Sequence, residues 1–150
     1  MIRLPNRLFF EQVEAMLAEG REVRIRIKGH SMFPMLRNDR DCVILRACTD
    51  TSQLRRGDVA LFRSSGNHIL HRIVRREGDR LTMAGDGNCG LTEQCTTRDI
   101  AGVVTRIVRP SGRIVGCDSL RWLLPSRLWL SVPTGLRRLL LRVLRRMDRA

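Results

Sequence analysis

The stretch VRIRIK, residues 23–28, alternates apolar and basic side chains with a period of two. A strand with one buried and one solvated face shows this alternation, because successive side chains point to opposite sides. Similar short runs follow at residues 41–46, 58–63, 68–74, 80–84, 100–108 and 113–115, and glycine-containing turns separate them. The sequence therefore predicts a mainly β fold with a barrel-like core, rather than a parallel sheet with crossover helices.

Helical patterns flank this β region on both sides. Apolar residues recur at helical spacing over residues 6–19, and Gly20 is a natural stop. Near the other end, leucines and arginines alternate as on an amphipathic helix whose first turn Thr134 can cap. We therefore predict a β domain with an N-terminal helix over residues 1–118, and a Leu/Arg-rich amphipathic segment over residues 119–150.

Charge and composition limit the classes of partner. The chain has 150 residues, a net charge of +13 and a single lysine, Lys28, so nearly all of its basic residues are arginine. Such a charge favours anionic partners. Aromatic residues make up 4% of the chain, tyrosine is missing, and no helix-turn-helix, zinc-finger or phosphate-loop spacing occurs. We expect no nucleic acid partner.

The N-terminal residues do not resemble a secretory signal, since Arg3, Arg7 and Glu11 interrupt the apolar run that one needs. No uncharged stretch long enough to span a bilayer occurs in the sequence. We therefore expect a cytoplasmic protein or one bound peripherally to a membrane.

The cysteines offer a weak metal signal. Cys42 and Cys48 are six residues apart, as are Cys89 and Cys95, which leaves a zinc site open, but no Cys-x-x-Cys pair occurs. Reduced cysteines that pack as small apolar residues are the preferred interpretation. We expect no metal and no cofactor.

Four segments, in order along the chain, carry a resemblance to a known family. They are GHSMFPML at residues 29–36, RGDVALF at 56–62, ILHRIV at 69–74 and GDGN at 85–88. Together they resemble the signal peptidase I family of serine peptidases, including the branch of the endoplasmic reticulum and archaea that uses histidine in place of lysine. The resemblance implies the β core that signal peptidases share with self-cleaving repressors.

The resemblance also implies a set of site residues. Ser31 is the expected nucleophile, His71 its general base and Asp86 the acid beside His71. The backbone amides of Gly29 and Ser31 are the expected oxyanion hole. Met32 and Pro34, next to the serine, are expected to form an apolar floor for a small substrate side chain.

Elementary chemistry favours a histidine base independently. A serine hydroxyl needs an adjacent base to attack at neutral pH, and an acid that orients the imidazole completes the set. Lys28 lies only three residues before Ser31, where local geometry makes it a poor partner. The other histidines are His30 and His68, which we expect at the surface or at the rim of the cleft.

The leading expectation is a serine endopeptidase that cleaves a leader or signal segment after small residues, with a peptide or preprotein as substrate. A noncatalytic peptide-binding or maturation-partner module that keeps the fold is the main alternative. A relative of self-cleaving repressors is a third, although the sequence shows neither a pattern of their DNA-binding domain nor a base lysine after Ser31. No stretch of the sequence resembles the family's membrane anchors, and we expect the segment 119–150 either to contact an anionic membrane or to dock on the β domain or a partner.

Overall fold

The computed structural model describes residues 6–149, which form eight antiparallel strands and three helices. The helices are α1 (Asn6–Ala18), α2 (Leu120–Ser131) and α3 (Thr134–Arg149). The strands are β1 (Val23–Arg26), β2 (Cys42–Arg46), β3 (Val59–Ser64), β4 (Asn67–Glu77), β5 (Arg80–Ala84), β6 (Glu93–Thr96), β7 (Ile100–Val108) and β8 (Ile114–Gly116). The predicted mainly β class is confirmed.

The strands form one open sheet in the order β1-β2-β7-β3-β4-β5-β6, with β8 paired to β7. The ends of this path, β1 and β6, do not pair with each other within residues 6–149. The barrel-like closure expected from the sequence is therefore wrong. Closure depends on which distant strands meet at the two edges, and the alternation within one strand carries no information about that.

The alternation within strands does explain how the sheet buries its apolar residues. In β1, Val23 and Ile25 are buried while the arginines between them are exposed. The central strand β3 is buried on both faces: Val59 and Leu61 join one apolar cluster, and Ala60 and Phe62 join another. The sheet is thus covered by apolar side chains on both sides near its middle, which fixes its register.

Two elements do not follow the sequence pattern. The strand β6 has a single buried residue, Cys95, and was not predicted. The helix α2 contains Pro125, which cannot donate a hydrogen bond to the preceding turn. Burial of Trp122 and Trp129 on one side of α2 stabilises it despite that loss.

The two C-terminal helices pack against the β domain. Trp122 of α2 joins the larger apolar cluster of the sheet. Leu141 of α3 packs with Trp129 and with Phe33, which lies two residues after Ser31 in the loop between β1 and β2. Part of the surface of residues 119–150 therefore docks on the β domain, as one of the two alternatives predicted. This packing places both helices next to the predicted site.

Candidate active site

The loop between β1 and β2 carries Ser31 and is held closed at its base. Ile27 N–H donates to the carbonyl of Asp41 at 2.9 Å, and Asp39 N–H donates to the carbonyl of Ile27 at 2.9 Å. Between them, Leu36 N–H donates to the carbonyl of Met32 at 2.9 Å, which forms a helical turn. Buried Met32 and Leu36 anchor this turn in the core, so Ser31 sits on a fixed support and is itself half-buried.

The glycine-rich turn at residues 85–88 lies directly against the serine. Gly87 N–H donates to the carbonyl of Ser31 at 2.8 Å. A Cβ on Gly87 would stand 2.6 Å from the carbonyl oxygen of His30, so only glycine fits against that strand of backbone. The four-segment resemblance joined these two stretches in sequence order, and the structure brings them into contact.

His71 reaches the same place from β4. The ladder between β4 and β5 pairs Arg72 with Ala84, so one step further His71 faces Gly85. The Ser31 carbonyl oxygen and His71 Nε2 both lie within 3.0 Å of the point where a Cβ would stand on Gly85. These two atoms are therefore less than twice that distance apart. Ser31 and His71, forty residues apart in sequence, are neighbours.

The direct contact between the two side chains is not formed. Among the described residues, no hydrogen bond joins the Ser31 hydroxyl to His71. Catalytic hydrogen bonds are often long before substrate binds, so proximity of the two residues is the informative observation.

The expected acidic partner of His71 is corrected by the structure. Nδ1 of His71 lies 3.0 Å from Oε2 of Glu93, the first residue of β6. Asp86 was expected there, but its carboxylate points away. Glu93 reaches His71 because β5 ends at Ala84 and Gly85 presents no side chain between them.

The carboxylate of Asp86 is fully occupied elsewhere. Arg72 Nε donates to one of its oxygens at 2.9 Å and Arg72 Nη2 to the other at 2.8 Å. The side chains are 0% and 2% exposed, and Trp122 stacks over the guanidinium. Asp86 thus forms a buried bidentate ion pair that ties the glycine turn to β4.

The expected oxyanion hole is also corrected in part. The amide of Gly29 donates to Oδ1 of Asn38 at 2.8 Å, so it is already used inside the loop. The amide of Ser31 has no acceptor within the described residues. A side-chain donor stands nearby, because Nδ2 of Asn88 lies 3.1 Å from the same Cβ position on Gly85.

A groove of about 310 Å³ opens beside Ser31. Ser31 and Met32 are among the residues that line it, whereas Pro34 and His71 are not. Residues 25–28 and 68–70 also line it. A larger cavity of about 1040 Å³ lies between α2 and the sheet and is lined by neither Ser31 nor His71.

Lys28, His30 and His68 are the other residues that could act as a base for Ser31, and the structure shows the surroundings of each. Lys28 pairs with Asp39 at the surface, and this hydrogen bond lowers the pKa of the Asp39 carboxyl. His30 is exposed, in line with the prediction. His68 differs from it: its side chain is 9% exposed, its Nε2 contacts Glu14 at 3.0 Å, and its ring stacks on Phe10. His68 lines the groove together with Ser31, but its Nε2 is engaged by Glu14, whereas Nε2 of His71 lies beside Gly85 with the Ser31 carbonyl oxygen.

Asp58, Cys95 and Cys117 are other groups near the sheet whose pKa is shifted by burial. Asp58 accepts a hydrogen bond from the Arg55 amide in a turn, and burial raises the pKa of its carboxyl. The five cysteines form no disulfide. Burial raises the pKa of Cys95 to about 11 and that of Cys117 to about 12, so both thiols are protonated at neutral pH.

Two residues of this site were missed from the sequence. Glu93 lies in a short polar strand without apolar alternation, and no local pattern marks it. Asn88 was noted only as part of the turn, although its side-chain Nδ2 lies beside Gly85, as the Ser31 carbonyl oxygen does. Both are brought in by the pairing of β5 with β6 and by the turn that connects them.

No protein-family model matches the chain, and no curated protein sequence matches it. Within residues 6–149, every helix is too short or too polar to cross a lipid bilayer.

Proposed function

We propose that this protein is a serine endopeptidase resembling signal peptidases, in which Ser31 is the nucleophile and His71 the general base. One observation carries the proposal: the Ser31 backbone and Nε2 of His71 flank Gly85, while Nδ1 of His71 contacts Glu93. A nucleophile, a base and an acid that orients the base are the parts that acyl transfer by serine requires.

Each side chain has a defined role in this mechanism. Nε2 of His71 accepts the hydroxyl proton of Ser31 as the oxygen attacks a peptide carbonyl, and it donates that proton to the leaving amine when the peptide C–N bond breaks and the acyl-enzyme forms. Glu93 holds the proton of the imidazole on Nδ1 and stabilises the imidazolium that forms. The amide of Ser31, which has no acceptor among residues 6–149, and the side chain of Asn88 are the donors proposed for the developing oxyanion. His71 then activates the water that hydrolyses the acyl-enzyme.

The groove supports an extended peptide as substrate. Within residues 6–149, β1 pairs only with β2, so its outer edge has free backbone groups. Pairing of β4 with β5 begins at Arg72, so residues 67–70 have no strand partner on that side within residues 6–149. Residues of both unpaired edges line the groove that Ser31 also lines. A peptide in β conformation can pair with such edges.

The proposal is tested with a library of extended peptides that carry alanine at varied positions, with cleavage products mapped by mass spectrometry. Ser31→Ala and His71→Ala are each expected to lower the rate by at least about 10³-fold, because each removes a member of a unit that acts together. Thermal unfolding of both variants should match that of the wild type within a few degrees.

Matched controls are Ser111→Ala and His30→Ala, since both residues are exposed and neither lines the groove. They should cleave like the wild type. Cleavage that survives in Ser31→Ala or His71→Ala would reject the mechanism.

A noncatalytic peptide-binding module is the second candidate, and a specific observation favours it. The side chains of Ser31 and His71 are not hydrogen-bonded, and the Gly29 amide is bound to Asn38. This candidate predicts that the wild type binds library peptides without cleaving them. Equilibrium binding that is equal for the wild type and Ser31→Ala, with no cleavage by either, would establish it over the peptidase.

A further inference from the structure

The exposed apolar residues of this protein are concentrated on its two C-terminal helices. Eleven large hydrophobic residues of the described part are exposed, and seven of them belong to α2 or α3. These seven are Leu120, Leu124, Leu128, Leu136, Leu139, Val143 and Met147, with exposed fractions of 49% to 69%. We call these seven residues the exposed stripe.

The spacing of the exposed stripe shows that it is a continuous feature of each helix. On α2 its members recur every fourth residue, on the side opposite to buried Trp122 and Trp129. On α3 they recur every third or fourth residue, beside Leu141 and its neighbours, which pack on Phe33 and Trp129. Each helix therefore uses one part of its apolar surface to dock and leaves another part in solvent.

Cationic side chains flank this apolar surface. Residues 119–150 contain eight arginines and one acidic residue, Asp148, which is paired with Arg40 and Arg37. Six of the arginines are exposed and donate no hydrogen bond to another described residue: Arg121, Arg127, Arg138, Arg142, Arg146 and Arg149. An apolar stripe between exposed guanidinium groups is the composition of a helix that lies in a membrane interface.

We propose that α2 and α3 dock this protein on an anionic lipid surface through the exposed stripe. Leucine and methionine side chains enter the boundary between headgroups and acyl chains, while the flanking arginines contact lipid phosphates. The positive charge of α2 and α3 favours an anionic lipid surface over a second copy of the chain, because two surfaces with this excess of arginine repel each other. The proposal does not depend on the peptidase activity.

The same docking would place the candidate site near the lipid. Trp129 Nε1 of α2 donates to the carbonyl of Asp86 at 2.9 Å, and Arg145 of α3 donates to the carbonyl of Gly87 at 3.1 Å. Both helices thus hold the turn that contacts Ser31, so their attachment to lipid fixes the site relative to the membrane.

The test is flotation of the full chain with vesicles of phosphatidylcholine alone, and with vesicles in which about a third of the lipid is phosphatidylglycerol. We expect recovery with the anionic vesicles only, and a loss of recovery in high salt because screening weakens the arginine contacts. The double variant Leu139→Gln/Met147→Gln should bind anionic vesicles at least about tenfold more weakly, since it removes apolar contacts while keeping helix propensity and charge.

The matched control is Leu8→Gln/Ile114→Gln, which changes two similarly exposed apolar residues outside α2 and α3. It should float like the wild type, and circular dichroism should show the same fold in all three proteins. Wild-type protein that stays unbound with anionic vesicles overturns the proposal, as does equal flotation of both double variants. Absence of flotation together with a dimer that the Leu139→Gln/Met147→Gln change dissociates would instead assign the stripe to a second copy.

Discussion

Two acid–base pairs meet at the glycine turn of residues 85–88, and their surroundings differ. Asp86 and Arg72 are enclosed, with side chains 2% and 0% exposed, and all the oxygens of Asp86 have donors. His71 is buried but Glu93 is 27% exposed, and Nε2 of His71 faces the Ser31 backbone. All the oxygens of Asp86 are therefore occupied, whereas Nε2 of His71 has no hydrogen-bond partner among residues 6–149.

This difference assigns separate roles to carboxylates that the sequence could not tell apart. A bidentate pair without solvent access holds its two strands of backbone in place, and its charges cannot be separated without a large penalty. A histidine oriented by one carboxylate at Nδ1 is able to exchange a proton at Nε2. We therefore regard Asp86 as a residue that maintains the turn and Glu93 as the residue that orients His71, the proposed base.

The largest effect is expected from Asp86→Asn. This change leaves the guanidinium of Arg72 buried without a counter-charge, so the free energy of unfolding should fall by about 3 to 5 kcal/mol. Urea denaturation followed by circular dichroism measures it. Asp39→Asn is the matched control, because Asp39 pairs with Lys28 at the surface and its loss should change stability little. Equal stability of the two variants would contradict the structural role of Asp86.

The next effect concerns catalysis. Glu93→Gln should lower kcat by about 100-fold, because the imidazole of His71 loses the carboxylate that orients it. The loss in kcat is expected to be smaller than for a buried orienting acid, because Glu93 is partly exposed. KM should stay unchanged, since Glu93 does not line the groove. The rates are measured on a peptide selected from the library.

Glu11→Gln is the control for this substitution, since Glu11 forms an exposed ion pair with Arg7 on α1. It should leave both kcat and KM unchanged. A normal kcat for Glu93→Gln would show that Glu93 does not position His71. If Glu93→Gln lowered the free energy of unfolding as much as Asp86→Asn does, the two pairs would not differ in their structural role.

The sequence predicted what depends on neighbours along the chain. The alternation of residues 23–28 located β1, and the four spaced segments pointed to Ser31 and His71, because each of these signals is local. It failed where partners come from distant strands. Arg72 competes for Asp86 at a distance of fourteen residues, and β6, with one buried residue, delivers Glu93 through backbone pairing that no side-chain pattern reveals.

The smallest effect tests the point where the two pairs meet. The backbone of Gly85 does not have a positive φ, so alanine would cause no backbone strain there. Its Cβ, however, would stand 2.9 Å from His71 Nε2 and closer still to the Ser31 carbonyl oxygen. Gly85→Ala should therefore push these groups apart and lower the free energy of unfolding by about 1 to 3 kcal/mol. Peptide cleavage should fall with it. Gly135→Ala on α3, where nothing lies within 4 Å, is the control and should be neutral or slightly stabilising. If both glycine variants behaved alike, Ser31 and His71 would not share the small space that the proposed peptidase requires.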